Sequence, residues 1–524
     1  MEKYDVVIVG GGHNGLTVAG YLSKAGANVC VLELKEYVGG AVITKELTVP
    51  GFKVDPFSTA HIFLQANPLI MNDELELQSK YGLKYIFADP MMAVIFQDDS
   101  SMIFHRDVDK TCESIEKISS RDAKAYREFY DLAVPCLDML LMGMFSPPAP
   151  FGDMISMLEK NEEGRNLLLT LLKSAMDILD EWFESESVKL GISKFASEAM
   201  VAPREGGSGL YVLALVALAH RFGVAFPEGG SGKLSESLER CIKDMGGTIK
   251  TSSPVKSIKI EKGEAKGVIL ESGEEIIATK AVVSTVNVKQ LFSQMVGEKD
   301  LPSNFLTKVE RLKPSSFTAI NQQFAINEAP KYKAKEDGIE QTFFMEIVPS
   351  MDNYLKEFDE FLYGIPGTKS PLIICSTILD PSRAPEGKHT LYLYHFEPYH
   401  IKGDAEKWDQ IKEEVADGVL QTLRDHTTNM GDDNILGRYI VTPLDLERYN
   451  PSWIEGDFGH IGSFLFQSLS NRPIIGWSNY KTPIEKLYMA GPSTHPGLGV
   501  IAGGRAAVQV VMDDLGLDFK QFMK

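Results

Sequence analysis

A glycine-rich segment near the start of the chain has the spacing of a dinucleotide-binding loop. Gly10, Gly12 and Gly15 satisfy the pattern G-x-G-x-x-G, with His13 and Asn14 between the last two glycines. Such glycines permit a tight turn, a close approach of backbone amides to a pyrophosphate, and close packing of the following helix. We therefore expect these five residues to contact the phosphates of a nucleotide cofactor.

A carboxylate follows this loop at the position that contacts the ribose in such sites. Glu33 ends the second predicted strand, where its side chain can accept hydrogen bonds from ribose hydroxyls. Its negative charge disfavours a 2′-phosphate, which an arginine would favour. The cofactor is therefore expected to be FAD or NAD rather than NADP, and these residues alone leave that choice open.

The elements around this loop form a βαβ unit. Residues 5–10 are a continuous apolar run that ends in glycine, which is typical of a strand covered on both faces in a parallel sheet. Leu16, Ala19 and Gly20 follow at helical spacing, and residues 28–33 form the next strand. The unit places the glycine loop at the first strand-to-helix turn.

The sequence after this βαβ unit predicts a second domain that contains both helices and strands. Long helical patterns cover 121–140 and 164–184, and another α/β stretch begins after Phe226. The last 40 residues return to strand, glycine-rich loop and helix. An antiparallel sheet is predicted from the strand patterns at 316–325, 341–348, 371–378 and 390–397. The expected fold is an α/β Rossmann-type domain that binds the dinucleotide, with a second α+β domain for the substrate.

Composition excludes several classes of function. A formal charge of -19 opposes binding to phosphate backbones, so nucleic acid is not an expected partner. Five cysteines lack any C-x-x-C pair, which argues against disulfide chemistry and zinc binding. His389, His395 and His400 lie in a strand-like stretch rather than on one helical face, so no metal is predicted.

The expected location is the cytoplasm. The chain enters a strand pattern directly after its first residues, and no export or transit signal is recognised there. The apolar stretch 210–219 has about half of the ~20 residues that a membrane crossing needs. It predicts a buried helix.

Two further segments resemble a known family. Gly39-Gly40-Ala41 follows Glu33, and the segment 487–500 (LYMAGPSTHPGLGV) forms a second glycine-rich loop. Both resemble the amine-oxidase and phytoene-desaturase superfamily of flavoproteins, in the branch of carotenoid ketolases and pyridine nucleotide-disulphide oxidoreductase-domain proteins. The resemblance covers nearly the whole chain. Other matching segments are GHNGLTVAGYL, DEWFESE, PEGGSGKLSESL, AVVSTVN, DPSRAPEGKH and TPLDLER.

The resemblance implies that the cofactor is FAD. It places Gly39-Gly40-Ala41 against the pyrophosphate and ribityl region, and it places Gly491, Gly499 and Val500 in a loop that meets the flavin. It assigns Val255 to a strand that passes the adenine, although a core valine in a sheet is an equal alternative. Many family members carry an aspartate where this chain has Pro492, so that acidic contact does not carry over.

The resemblance also implies how the chain divides. We expect a discontinuous FAD-binding domain from residues 1–75, 225–300 and 480–524. The substrate domain then consists of residues 76–224 and 301–479. Each part of the FAD-binding domain corresponds, by resemblance, to one part of the cofactor.

The function implied is that of an FAD-dependent oxidoreductase acting on a largely apolar, polyene or lipid-like substrate. Only one complete dinucleotide fingerprint is visible, so electrons are expected to pass to or from a diffusible partner: a quinone, oxygen or another protein. Two alternatives stay open. One is a flavin-dependent isomerase of an unsaturated lipid, and the other is a non-catalytic prenyl- or lipid-binding module on the same fold.

His61 and His495 are the candidate catalytic residues. By resemblance, both lie in segments that pass the flavin, and an imidazole suits proton transfer because its ordinary pKa is ~6.5. A role limited to cofactor contact is an equal alternative.

A methionine-rich segment within 136–175, together with 210–226, is expected to line an apolar substrate channel. The first of these also leaves open a peripheral contact with a membrane surface. The oligomeric state is not predicted.

Overall fold

The fold is built on two seven-stranded sheets and one two-stranded sheet. A computed structural model describes residues 2–497 and 499–523, so Met1, Leu498 and Lys524 lie outside the described residues. The strands are β1 (Glu2–Val9), β2 (Val29–Leu32), β3 (Tyr85–Ala88), β4 (Met92–Ile95), β5 (Ser101–Phe104), β6 (Val224–Pro227), β7 (Thr248–Lys250), β8 (Val255–Glu261), β9 (Glu264–Leu270), β10 (Glu275–Ser284), β11 (Thr318–Ile326), β12 (Phe344–Ile347), β13 (Leu372–Ile374), β14 (His389–Glu397), β15 (Ile435–Val441) and β16 (Leu487–Met489).

Helices surround both large sheets. They are α1 (His13–Lys24), α2 (Ile62–Gln65), α3 (Pro68–Met71), α4 (Val108–Glu116), α5 (Ser120–Met144), α6 (Phe151–Leu158), α7 (Glu162–Leu172), α8 (Ala175–Trp182), α9 (Glu186–Ser197), α10 (Gly209–Phe222), α11 (Gly232–Asp244), α12 (Val288–Gln290), α13 (Phe305–Glu310), α14 (Met351–Phe361), α15 (Trp408–Asp425), α16 (Pro443–Tyr449), α17 (Ala502–Asp514) and α18 (Phe519–Phe522). Of the helices described, none combines the length and the hydropathy that a membrane crossing requires.

The first sheet has the order β7-β2-β1-β10-β9-β8, and β16 also pairs with β10. Strand β1 pairs in parallel with both β2 and β10. Its side chains alternate between two cores: Val6 and Ile8 face α1, α11 and α17, whereas Val7 and Val9 face the opposite side. All seven strands come from the three segments predicted for the FAD-binding domain, although the domain boundaries themselves stay a prediction.

The second sheet has the order β15-β11-β14-β13-β12-β4-β5. It is antiparallel except where β12 pairs in parallel with β4. One face packs on α15 through residues such as Ile320 and Phe324. The other face turns toward a core that contains residues of α5, α9 and α10. The predicted combination of a Rossmann-type domain with a second α+β domain is confirmed.

Two local predictions are wrong. The expected helix over 164–184 is two helices, α7 and α8, because Ser174 begins α8 with a reciprocal capping box to Asp177. The expected strand 371–378 is cut to β13, and the chain from Ser376 to Ile378 forms a 3₁₀ turn. A local cap thus interrupts the helical pattern in the first case, whereas no side-chain cap accompanies the 3₁₀ turn in the second.

Candidate functional site

The glycine loop joins β1 to α1 and leaves open space in front of the helix. Gly10 has a φ of 100°, which favours glycine. A Cβ on Gly15 would lie 2.1 Å from the Gly10 carbonyl oxygen, so the turn requires glycine there. A Cβ on Gly12 would instead meet only the Cα of Gly40, at 3.9 Å. The open side of Gly12, at the N-terminus of α1, is suited to an anionic group.

Glu33 is held in place beside this loop by backbone donors. Its two carboxylate oxygens accept from the N–H groups of Gly11 at 2.7 Å and of Lys35 at 2.9 Å. Burial raises the pKa of Glu33. A carboxylate fixed by two amides keeps lone pairs for a further donor, such as a ribose hydroxyl.

The segment Gly39-Gly40-Ala41 packs on the glycine loop. The N–H of Gly39 donates to the Gly11 carbonyl at 2.8 Å, and a Cβ on Gly40 would lie 3.2 Å from the Cα of Gly12. Ala41 lines the cavity described below. The sequence-predicted residues of this segment and of the loop are therefore neighbours.

The C-terminal loop meets the same place from the other side. The side-chain oxygen of Asn14 accepts from the N–H of Gly504 at 2.8 Å, which ties α1 to α17. A Cβ on Gly491 would approach the Thr285 carbonyl oxygen to 3.0 Å. Gly499 and Val500 line the cavity together with His13. Three segments distant in sequence thus converge.

Val255 starts β8, at the edge of the first sheet. Two residues earlier, the N–H of Ser253 donates to the Glu33 carbonyl at 2.8 Å. The structure therefore brings Val255 to the Glu33 end of the site, where its assignment to the adenine stays a prediction.

Arg472 is a buried residue beside the site that the sequence does not predict. Its side chain is 1% exposed and donates to backbone carbonyls around the C-terminal loop. Burial lowers the pKa of Arg472 to about 10, so it stays charged at neutral pH. No local motif marks this arginine, because its partners are assembled by the fold. They are the carbonyls of Gly459, Ile461, Gly462, Gln467 and Pro492.

A cavity of about 280 Å³ lies between these loops and the second sheet. Its lining is mainly apolar and comes from helices and strands of both parts of the fold. Representative lining residues are Phe63, Leu215, Phe344, Leu372, Ile374 and Phe458. A pocket of this kind is typical of a site for an apolar small molecule.

His61 lines this cavity and takes part in a hydrogen-bonded chain. Ser231 Oγ donates its proton to the Ser58 carbonyl at 2.6 Å, so it accepts from Nε2–H of His61 at 3.1 Å. The Nδ1 atom of His61 then accepts from the Tyr85 hydroxyl at 3.1 Å. Burial, together with nearby His13, lowers the pKa of His61 to about 3. The ring is neutral at physiological pH.

His495 occupies a different environment. Its Nε2 atom lies 3.0 Å from the Gly143 carbonyl at the end of α5. Burial lowers its pKa to about 4, and it is not among the described residues that line the cavity. The two candidate histidines are therefore not brought together, and the ordinary pKa on which their selection rested applies to neither.

His460 is a second buried group that sequence reasoning missed. Its Nδ1 atom lies 3.1 Å from Ser493 Oγ, and burial lowers its pKa to about 3. It interacts electrostatically with His13, so it belongs to the same region. No motif surrounds it in the sequence.

These features fit a dinucleotide cofactor. The space in front of Gly12 would admit a pyrophosphate, and the Glu33 carboxylate could accept a hydrogen bond from a ribose hydroxyl. The buried Nδ1 atom of His13 has no hydrogen-bond partner among the described residues. FAD would be held by the glycine loop, Glu33, Gly39-Gly40-Ala41 and the C-terminal loop. When bound, FAD accepts or gives up a hydride.

Comparisons with known proteins agree with this geometry. The rat (Rattus norvegicus) pyridine nucleotide-disulfide oxidoreductase domain-containing protein 2 is 31% identical over 559 residues, which cover 98% of this chain and 94% of the rat protein. A lycopene-forming phytoene desaturase of Pseudescherichia vulneris is 24% identical, over 97% of this chain and 99% of its own. The crystal structure of an oxidoreductase from Methanosarcina mazei superposes with a TM-score of 0.61 at 17% identity, covering 98% and 100% of the two chains.

The model of the family described as flavin containing amine oxidoreductase matches residues 15–512. The predicted resemblance, the FAD cofactor and the assignment as an FAD-dependent oxidoreductase are confirmed. The chain belongs to the family of flavin-containing amine oxidoreductases.

Proposed function

We propose that this oxidoreductase acts on a largely apolar, polyene or lipid-like substrate, by desaturation, saturation or oxidation at carbon. The observation that carries the proposal is the cavity between the glycine loops and the second sheet, whose lining is mainly apolar. Burying an apolar skeleton there is favourable by roughly 25 cal/mol per Å². The similarity to a phytoene desaturase supports the same substrate class.

We propose that any proton transfer in this reaction uses one of two residues, His61 or His495. The geometry favours His61, because it lines the cavity. Its Nε2 and Nδ1 atoms connect Ser231 to Tyr85, so a proton can move along this chain without a charged imidazole persisting. The Ser231 hydroxyl and the Tyr85 hydroxyl also fix the ring orientation.

The electron partner is proposed to be diffusible: a quinone, oxygen or another protein. Only one dinucleotide fingerprint is visible in the sequence, so the chain offers no second nucleotide site of the same pattern. A quinone also suits an enzyme whose substrate is lipid-like, because both partition into the same apolar phase.

The proposal is tested by product analysis. The FAD-loaded protein is incubated with a polyene in detergent micelles, with and without a quinone, and the product mass is measured. For desaturation or oxidation we expect the loss of two hydrogen atoms per turnover, dependent on the quinone as acceptor. For saturation we expect the gain of two hydrogen atoms, and only when the flavin has first been reduced chemically. A rearranged product of unchanged mass, formed without acceptor, indicates an isomerase. Tight binding without any product indicates a lipid-binding module.

A further inference from the structure

One wall of the cavity belongs to a row of four paired residues across the second sheet, of which three are polar and Leu372 is apolar. Asn321 on β11 is paired with Tyr394 on β14, Tyr394 with Leu372 on β13, and Leu372 with Glu346 on β12. Directly opposed residues of neighbouring antiparallel strands present their side chains on one face. Asn321, Tyr394 and Leu372 all line the cavity.

Helix α9 adds two charged residues to the same wall. Lys194 is 1% exposed, and its Nζ atom lies 3.1 Å from a Glu346 oxygen and 3.1 Å from the Ser370 carbonyl. Glu198 occupies the C-cap position of α9, one helical turn after Lys194, so both side chains lie on one face of the helix. Glu198 lines the cavity and acts electrostatically on Tyr394.

Glu346, which is not among the described residues that line the cavity, has no hydrogen-bond partner on either carboxylate oxygen among the described residues, although one of these oxygens lies 3.1 Å from Lys194 Nζ. Two polar atoms of the residues of this wall that do line the cavity also have no hydrogen-bond partner among the described residues. They are Oδ1 of Asn321, whose side chain is 2% exposed, and Oε1 of Glu198. A buried polar atom without a partner is costly, so such atoms are rarely left unpaired in folded proteins. Because both residues line the cavity, a bound molecule is in a position to supply the missing contacts.

The charges of the cluster point to a neutral partner. Lys194 provides one positive charge, and Glu346 and Glu198 provide two carboxyl groups. Burial raises the pKa of both glutamates. Burial therefore favours the protonated, neutral form of a carboxyl at the cavity, which suits a neutral hydrogen-bonding partner better than a cation.

We propose that the cavity binds an apolar ligand that carries one neutral hydroxyl group, held by Glu198 and Asn321 beside Tyr394. A hydroxyl can donate its one proton to the Asn321 amide oxygen and accept a hydrogen bond from Glu198 when that carboxyl is protonated, which burial favours. This inference rests on the proposed function and narrows its substrate class, largely apolar and polyene or lipid-like molecules, to those that carry a hydroxyl group.

The test uses three probes of equal length: hexane, 1-hexanol and hexylamine. Each is titrated calorimetrically into the FAD-loaded protein and into Glu198→Leu and Glu198→Gln variants, with bound flavin absorbance as the check of folding. Glu205→Gln, an exposed glutamate, is the matched control. Asn321→Ala repeats the test from the sheet side.

We expect Glu198→Leu to weaken 1-hexanol binding about tenfold while hexane binding is not weakened, as loss of one buried hydrogen bond predicts. Glu198→Gln keeps the affinity for 1-hexanol within about threefold, because a neutral amide still forms the hydrogen bond. Hexylamine binds the wild-type protein more weakly than 1-hexanol. Glu205→Gln changes none of the affinities.

Two results overturn the inference and leave the proposed function standing. One is 1-hexanol binding that is unaffected by Glu198→Leu and Asn321→Ala, as when a bound water satisfies these groups. The other is hexylamine binding that is tightest in the wild-type protein and is lost in both Glu198 variants, which identifies a cation site. Failure of all three probes to bind contradicts the inference and the proposed function together.

Discussion

Gly12 has no side chain, and this leaves the space in front of the N-terminus of α1 open. Its φ of -69° is one that any residue adopts, so the absence of a Cβ matters for the space and not for the backbone. The contacts of Glu33 and of Gly39 are made by backbone groups of the same loop. The cofactor site is thus formed mainly by main-chain atoms.

Replacing Gly12 by valine is expected to abolish FAD binding, because the added methyl groups occupy the place of the pyrophosphate. The purified variant should carry less than about a tenth of the wild-type flavin absorbance. Gly152→Val is the control, since a Cβ there meets nothing within 4 Å. Full flavin occupancy in a folded Gly12→Val protein would place the phosphates elsewhere.

The His61→Ala and His495→Ala variants test the proposed proton transfer. We expect His61→Ala to retain FAD and to slow reduction of the flavin by substrate at least about tenfold, consistent with the ~10²-fold or larger effect of a general acid or base. His495→Ala tests the second candidate, and His400→Ala, at an exposed histidine, is the control. Unchanged reduction rates in both variants would leave the two histidines as contacts only.

The same experiment has an expected pH dependence. Burial lowers the pKa of His61 to about 3, so the imidazole is neutral throughout the range from about pH 6 to about pH 9. The wild-type rate should therefore show no step from His61 in that range. A step near the ordinary imidazole pKa of ~6.5 that disappears in His61→Ala would contradict this environment.

Arg472 connects the loop around residues 459–467 to the C-terminal loop, through its hydrogen bonds to the carbonyls of Gly459 and Pro492. Arg472→Lys cannot reach all of these carbonyls, and each buried carbonyl left without a donor costs about 1–3 kcal/mol. If about two of these carbonyls lose their donor, the free energy of unfolding should fall by several kcal/mol. FAD binding should also weaken. Denaturant unfolding and flavin occupancy measure both, with exposed Arg448→Lys as the control. Wild-type values in Arg472→Lys would show that the loop is held by other contacts.

The helices α5, α6 and α7 carry exposed apolar side chains that suit contact with a membrane surface. Met142, Met157, Leu169 and Leu172 are 75%, 50%, 54% and 56% exposed. The only cations in the stretch 137–172 are Lys160 and Arg165. Any attachment through this segment should therefore be hydrophobic.

The expected outcome is flotation of the protein with vesicles of uncharged lipid that persists in moderate salt. Met142→Gln combined with Leu172→Gln should reduce flotation, whereas Leu362→Gln, at another exposed leucine, should not. Flotation that vanishes in moderate salt would indicate electrostatic attachment instead.

The elements that could be predicted are those with strong local patterns. The apolar run before Gly10 and the helical spacing of α5 mark their elements directly. Strand β15 was missed because its residues are half-exposed and show no clean alternation. Lys194 and Glu198 have the pattern of a solvated helix face, and only the packing of α9 on the second sheet shows that they line a buried wall.

The whole molecule brings the cofactor site and the cavity together through distant segments. The first sheet draws strands from near the start, the middle and the end of the chain, so its loops meet in one place. The second sheet closes the cavity from the opposite side with side chains of β11 to β14. The glycine-rich motifs of the sequence predict the loops of the cofactor site. The cavity wall formed by the second sheet depends on strand register, which is set only by the complete sheet.

The most direct test of the proposed function is a single-turnover measurement of the flavin absorbance under anaerobic conditions. The FAD-loaded protein is mixed with a polyene, a fatty acyl lipid and an aliphatic amine in turn, and the chemically reduced protein is mixed with the same compounds. We predict that a polyene or lipid bleaches the oxidised flavin or reoxidises the reduced flavin in stoichiometric amount. A flavin that responds to the amine alone, or to none of these compounds while the polyene binds, would contradict the account.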